Sequence, residues 1–367
     1  MTVRSRFACR AMVLLSVSLV TAFVPFLVRP AAAQYNQWKI TADTPGQAPH
    51  SDPNLVNPWG LAFFPKSPFW VSDAGTGFST LYKNWGYATV PLVVTIPPAP
   101  GSTAKGSPSG IVANGTGEFK VTEGTKSGSA VFIFDTLDGT ISGWSPAVSF
   151  AHAVVAVNGS SHGAAFTGLA IGTVEVTINN VPVSENFIYT ANVAQGHLGM
   201  FDGNFQKVKE FTDPDAVAEG FVPYNVQNIG GKLYVTFVNW SLPGAGNGYV
   251  DVFDTAGNFV KTLAEGGTLN FPWGIALAPS NFGKFSNDLL VGNQGDGRIN
   301  AFDPVTGKFL GQLANYRTGQ PISIDGLWAL VFGAGSFSNG PTNWLFFTAG
   351  PNHSENGWFG VINHPQF

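Results

Sequence analysis

Eight polar residues of this chain are placed where they would work together. Asn57, Asn225 and Asp325 each stand just before or within a short apolar phrase that recurs along the sequence, and Asp73, Asp135, Asn192, Asn293 and His353 each stand at or behind the end of a second one. Amide and carboxylate oxygens in this number suit a hard cation such as Ca²⁺, which takes six to eight of them. Asp73, Asn192 and Asn293 are the members best placed to hold it. A cation there would polarise a carbonyl and activate water, which is the chemistry of a metal-assisted, lactonase-like hydrolase or lyase. The same eight residues would also serve a binding protein that takes a small ligand without turning it over. A third alternative is structural: Asn and Asp at strand ends cap turns and accept left-handed backbone, so a repeat copies them for its own sake.

Histidine adds one pair. His197 and His353 follow comparable strands in units that would face each other, as a two-histidine metal or acid–base pair requires. His152 and His162 flank a Gly-Ser loop and read as solvated loop residues. No G-x-S-x-G elbow, H-E-x-x-H, P-loop or dinucleotide fingerprint is present, and Gly244-Ala-Gly-Asn-Gly248 is a flexible turn with no helix after it. A site assembled from distant loops would leave no such phrase.

The elements that must position these residues are repeats. Asn57-Pro-Trp-Gly-Leu-Ala-Phe63 matches Phe271-Pro-Trp-Gly-Ile-Ala-Leu277, and weaker copies lie at Pro108–Ala113, Phe166–Ile171, Pro223–Asn228 and Asp325–Leu330. Each is followed by a second apolar strand, a Gly, Asn or Asp turn, and a third strand that often ends in Phe-Asp, as at Phe302-Asp303. A fourth strand opens after a turn such as Pro304-Val-Thr-Gly307. With the glycine or its equivalent placed at 60, 110, 168, 225, 274 and about 326, the units are spaced by 50, 58, 57, 49 and 52 residues. Periods of this size mark radial or linear arrays. Six four-stranded meanders closed into a ring bury both faces of every unit and leave only short edges, so the expected fold is an all-β, six-bladed β-propeller. Trp38-Lys-Ile-Thr-Ala42 stands alone before the first repeat and is predicted to close the ring beside Trp358–Ile362.

Composition agrees. Charged residues are only 11% of the chain, against 45 glycines and 31 phenylalanines, as short buried strands with tight turns require. No sustained helical period is present. Residues 1–33 carry Arg4, Arg6 and Arg10, the apolar run Ala11 to Val28 with Pro25 near its end, and Ala31-Ala-Ala33: a secretory signal peptide is expected there, with a membrane anchor as the alternative. The mature domain then spans residues 34–367, exported to the periplasm or beyond, with no later membrane span. Cleavage removes four of the 18 basic residues and none of the 22 acidic ones, which leaves a formal charge of about −8 and no basic patch for nucleic acid. It also removes Cys9, the one cysteine, so disulfides and thiolate chemistry are excluded from the mature chain.

Asp52-Pro-Asn-Leu-Val-Asn-Pro-Trp-Gly60, Asp138-Gly-Thr-Ile-Ser-Gly-Trp144, Asn228-Ile-Gly-Gly-Lys-Leu-Tyr-Val235, Gly297-Arg-Ile-Asn-Ala-Phe-Asp303 and Phe347-Thr-Ala-Gly-Pro-Asn352 resemble phrases of a family of exported bacterial NHL-like β-propeller proteins. The resemblance implies a propeller over nearly the whole mature chain and says little of chemistry, because NHL-like propellers include binding platforms, lactonases and lyases. Some members carry a C-terminal PEP-CTERM sorting tail, which Val361–Phe367 does not match, so release or periplasmic retention is expected over surface sorting. Trp59, Trp70, Trp273, Trp328 and Trp344 recur at repeat positions as blade packing. Trp85, Tyr87, Trp144 and Trp240 fall outside the pattern and would either cover loops or line a sugar-binding or hydrophobic surface. The leading expectation is an extracytoplasmic binding or scaffold protein that meets a small molecule or envelope protein through its loop face.

Overall fold

The computed structural model describes residues 34–84, 90–178 and 181–364. The segment expected to be a signal peptide, with Cys9, and Trp85 and Tyr87 lie outside the described residues. The recurring apolar phrases form the innermost strands of six antiparallel blades: Pro58–Ala62, Pro108–Ala113, Phe166–Ile178, Val222–Ile229, Pro272–Leu277 and Leu327–Phe332. Each of the first five blades runs outward in sequence order through a second, third and fourth strand, so neighbours in sequence are neighbours in the sheet. An additional hairpin, Lys120–Glu123 with Lys126–Ser129, is inserted in the second blade.

The sixth blade is completed from the other end of the chain. Leu327–Phe332, Trp344–Ala349 and Trp358–Asn363 are joined by Gln34–Ala42, which pairs antiparallel with the last of them: Trp38 lies opposite Val361 and Ala42 opposite Trp358. The closing strand is nine residues long rather than the five expected. Its two ends also pair in parallel with Ala314–Asn315 and His50–Ser51.

β-branched and aromatic residues fill these strands because each blade is buried on both faces by its neighbours. Phe69 of the first blade, for example, meets Phe346 and Phe359 of the sixth at 4.5 and 5.5 Å between ring centroids. The Phe-Asp phrase that ends the third strands has a local cause as well. Asp202 Oδ1 accepts from the amides of Asn204 and Gln206, Asp254 Oδ1 from Asn258, and Asp303 Oδ1 from Val305 and Thr306. The carboxylate therefore caps the turn into the fourth strand.

One register differs from expectation. In the sixth blade the counterpart of the repeat glycine is Ala329, between Trp328 and Leu330, whereas Gly326 precedes the strand at φ +64°. A Cβ at 326 would stand 2.1 Å from the Gly350 carbonyl oxygen, so this glycine serves the turn and not the channel.

Candidate functional site

The innermost strands come very close about the axis. An ideal Cβ on Gly60 would stand 2.5 Å from Ser109 O, one on Gly110 2.4 Å from Leu169 N, and one on Gly274 2.4 Å from Trp328 O. Glycine at these points is what lets adjacent strands close the ring. The channel between them narrows to a space of about 20 Å³ and opens to about 250 Å³ toward one end, among Leu61, Ile111, Leu169, Ile171 and Gln227.

The other end is the loop face, where the loops entering the innermost strands and those joining second to third strands lie. Here the repeat tryptophans turn inward. Trp59 stacks on Trp328 at 3.6 Å, Trp273 meets both edge-on at 6.0 and 5.8 Å, and Tyr224 meets Trp59 and Trp328 at 6.4 and 6.2 Å. All four rings are buried. Trp273 Nε1–H donates across to Thr167 O at 2.9 Å and Trp328 Nε1–H to Asn57 Oδ1 at 3.1 Å. Tryptophans that read as blade packing thus form an aromatic floor under the mouth of the channel.

Trp240 lies on that floor. It sits in the loop between the second and third strands of the fourth blade, edge-on to Tyr224 at 5.3 Å and tilted against Phe271 at 5.5 Å, and it remains 59% exposed. Leu137, Val193, Val222 and Phe271 pack half-buried against the same cluster. The sequence singled out Trp240 by its absence from the repeat, and that was the available signal.

The eight polar residues separate into two groups. Asn57, Asp325 and His353 come together beside the floor. Asn57 takes a left-handed backbone (φ +47°), and its amide donates to Asn356 O at 3.0 Å. Exposed Asp325 accepts the Asn352 amide at 2.9 Å. Asn352, His353 and Ser354 are three consecutive left-handed residues, with φ of +55°, +55° and +69°. Each costs on the order of 1–3 kcal/mol and persists only where its surroundings hold it. Here Asp325, the Ser354 amide bonded to Gly350 O, and the Asn352 side chain bonded to Glu355 and Asn356 do so, and His353 is presented to solvent.

The other five are buried within the ring. Asp73 accepts from Thr80 Oγ1 at 2.8 Å; Asp135 accepts from Ser109 Oγ and the Gly110 amide; Asn192 donates to Gln195 Oε1 at 2.6 Å. Asn225 donates to Trp273 O at 2.7 Å, and Asn293 to Thr268 O at 2.8 Å. Asn225 bridges one blade to the next, as Ser109 does to Phe166 O and Thr348 to Trp59 O. Asp73, Asn192 and Asn293 belong to the first, third and fifth blades, and no hydrogen bond among the described residues joins any two of them. His197 pairs with Glu210 in its own blade, away from His353. Among the described residues no group of three or more His, Cys, Asp or Glu is arranged to hold a metal ion.

Burial raises the carboxyls of Asp73 and Asp135, the latter to about 7 despite its hydrogen bonds. Asp251, in the strand Tyr249–Asp254, is raised to about 8, chiefly by burial and further by the neighbouring Asp213 carboxyl. These are neutral or readily neutralised groups inside the packing, not a charged ring open to a ligand.

No family model matches the chain. It is 32% identical over 360 residues to an uncharacterized protein of Acanthamoeba polyphaga mimivirus, a match that spans 93% of this chain and 83% of that protein. A second uncharacterized protein of the same virus is 30% identical over 355 residues, 93% of this chain and 89% of its own. These relatives are viral, where the sequence phrases implied a bacterial family. Among solved structures the chain is similar to virginiamycin B lyase from Staphylococcus aureus (11% identity, TM-score 0.47, 90% of this chain and 99% of that one). It is also similar to the soluble aldose sugar dehydrogenase from Escherichia coli (12% identity, TM-score 0.47, 90% and 100%).

Proposed function

The chain belongs to the family that includes these two mimivirus proteins, and we propose that it is an exported binding protein, without catalysis, for a ring-bearing polyhydroxy ligand such as a glycan. The ligand would lie across the loop-face mouth of the closed channel. The observation that carries this reading is the exposed indole of Trp240, fixed by Tyr224 and Phe271 over a buried aromatic floor. A sugar presents an apolar face to such a ring and hydroxyls to its surroundings. Asp325, Asn57 and the strained Asn352–Ser354 turn supply a carboxylate, amides and an imidazole on one side of the same mouth. A few placed polar groups beside an apolar platform is the usual composition of a small-ligand site. The run Ala11 to Val28 and Ala31-Ala-Ala33 support export.

Calorimetric titration of the mature protein with cello-, chito- and malto-oligosaccharides tests the reading. At least one series is expected to bind, and Trp240→Ala to weaken it by about 1–3 kcal/mol, as loss of a stacking ring does, with an unchanged melting temperature. Equal binding by Trp240→Ala, or turnover of a glycan by the wild type, would overturn it.

A further inference from the structure

A second cavity, of about 410 Å³, lies between the outer strand of the second blade (Val154–Asn158) and the outer strands of the third (His197–Phe201 and Lys207–Phe211), away from the channel mouth. At roughly 30 Å³ per water it equals about fourteen water molecules and falls in the range of small-ligand sites. We infer that this cleft binds a small organic anion whose body is an apolar ring.

The body would meet the walls. Phe166, Phe201 and Phe205 are buried side chains that line the cleft, with Val157 and Ala164 beside them. Gly199 lines it as well, and a Cβ there would stand 2.9 Å from the Phe201 ring, so glycine makes room for that ring in the wall.

The charge follows from the rim. Glu210 is the one carboxylate in the lining, and it is already held: Lys207 Nζ donates to its Oε1, and His197 Nε2 lies 3.3 Å from the same oxygen. The Lys207 hydrogen bond, with a smaller contribution from the neighbouring His197, draws the Glu210 carboxyl below the usual range, so it stays ionised. His197 Nδ1 faces Gln195 O at 3.2 Å, which fixes the ring. Lys207 retains two further N–H donors. His162, across the cleft, uses Nδ1 toward Ser161 Oγ at 3.2 Å, and its Nε2 has no partner among the described residues. Gln195 donates to His162 O at 2.8 Å and so ties the two sides together. An entering anion therefore finds an ammonium with spare donors, an imidazole nitrogen without a partner among the described residues, and no unpaired carboxylate to repel it. A cationic ligand finds its one counter-charge taken.

The test uses indole-3-acetate and its uncharged analogue indole-3-acetamide on the mature protein, with affinities from ligand-observed NMR. The acid is expected to bind at least about tenfold more tightly than the amide, the size of one charge-assisted hydrogen bond. Lys207→Met should remove that preference without changing the amide's affinity, and Lys207→Arg should restore it. Trp240→Ala should leave both affinities unchanged, which separates this cleft from the channel mouth. Equal affinity for acid and amide, indifference to Lys207→Met, loss on Trp240→Ala, or no binding of the acid at millimolar concentration would each overturn the inference.

Discussion

Asp135, one of the eight polar residues, is tied into the packing between two blades. Its Oδ1 accepts from Ser109 Oγ at 2.9 Å and from the Gly110 amide at 2.6 Å, while Oδ2 is buried without a partner among the described residues. Burial holds the carboxyl up at about 7, against 3.8 for a free aspartate. Between those values the folded chain binds a proton that the unfolded chain has released, so this residue's contribution is fully present below about pH 4 and lost as pH rises through about 7. Asp135→Asn copies the neutral form and cannot ionise. Its stability should match the wild type below about pH 4; the gap in its favour should then widen as pH rises, by about 1 kcal/mol per pH unit, and level off above about pH 7. Thermal melts across pH 5–8 check this, and parallel curves for the two proteins would contradict it. Asp73 and Asp251 are raised too, and the difference between the curves isolates Asp135. Residue type and spacing placed Asp73, Asp135, Asn192, Asn225 and Asn293 in the sequence as a polar ring. Only packing tells that each is held by a hydrogen bond inside or between blades, while Asp73 Oδ1, Asp135 Oδ2 and Asn293 Oδ1 are buried without a partner among the described residues. Asn57, Asp325 and His353 look no different in the sequence, and what sets them apart is exposure and a left-handed turn that no pattern of residue types announces.

At the level of the element, the closing strand was the most legible feature, because Trp38–Ala42 alternates as a strand and has no partner nearby in sequence. Its reach was not legible. Tyr35 lies before the recognisable run, yet it is fully buried, stacks on Phe282 at 4.7 Å and donates to Phe282 O at 2.9 Å, which ties the strand to the fifth blade. The two-residue parallel pairings at either end depend on distant segments and leave no periodic trace. Tyr35→Ala should cost about 3–5 kcal/mol, the range for truncating a buried aromatic. Tyr35→Phe should cost about 1 kcal/mol, for one hydrogen bond. Trp38, in the same strand but 54% exposed, should change stability by no more than about 0.5 kcal/mol on truncation to Ala. Denaturant unfolding of the three variants measures all of these, and a Trp38→Ala loss as large as that of Tyr35→Ala would mean that the strand is held in some other way. The sixth innermost strand shows the opposite error. Gly326 lies near the expected spacing, but the repeat position is held by alanine in the phrase Trp328-Ala329-Leu330, so glycine alone is a poor marker of register.

For the whole molecule, ring closure decides where function can reside. The blades converge until glycine is needed at their closest points, and four buried aromatic rings seal the loop-face end. The repeat spacing made the six blades readable in advance; the inward turn of the repeat tryptophans was not, because blade packing and channel filling call for the same residue type. What remains exposed around the channel mouth is Trp240 of the fourth blade and Asp325 and His353 of the sixth. Hydroxyl-radical footprinting with and without the tightest-binding oligosaccharide tests the proposed binding at this mouth most directly. Protection of Trp240, Asp325 and His353, with Trp38 and Trp144 unchanged, is the predicted result; protection confined to the blade rims would contradict it.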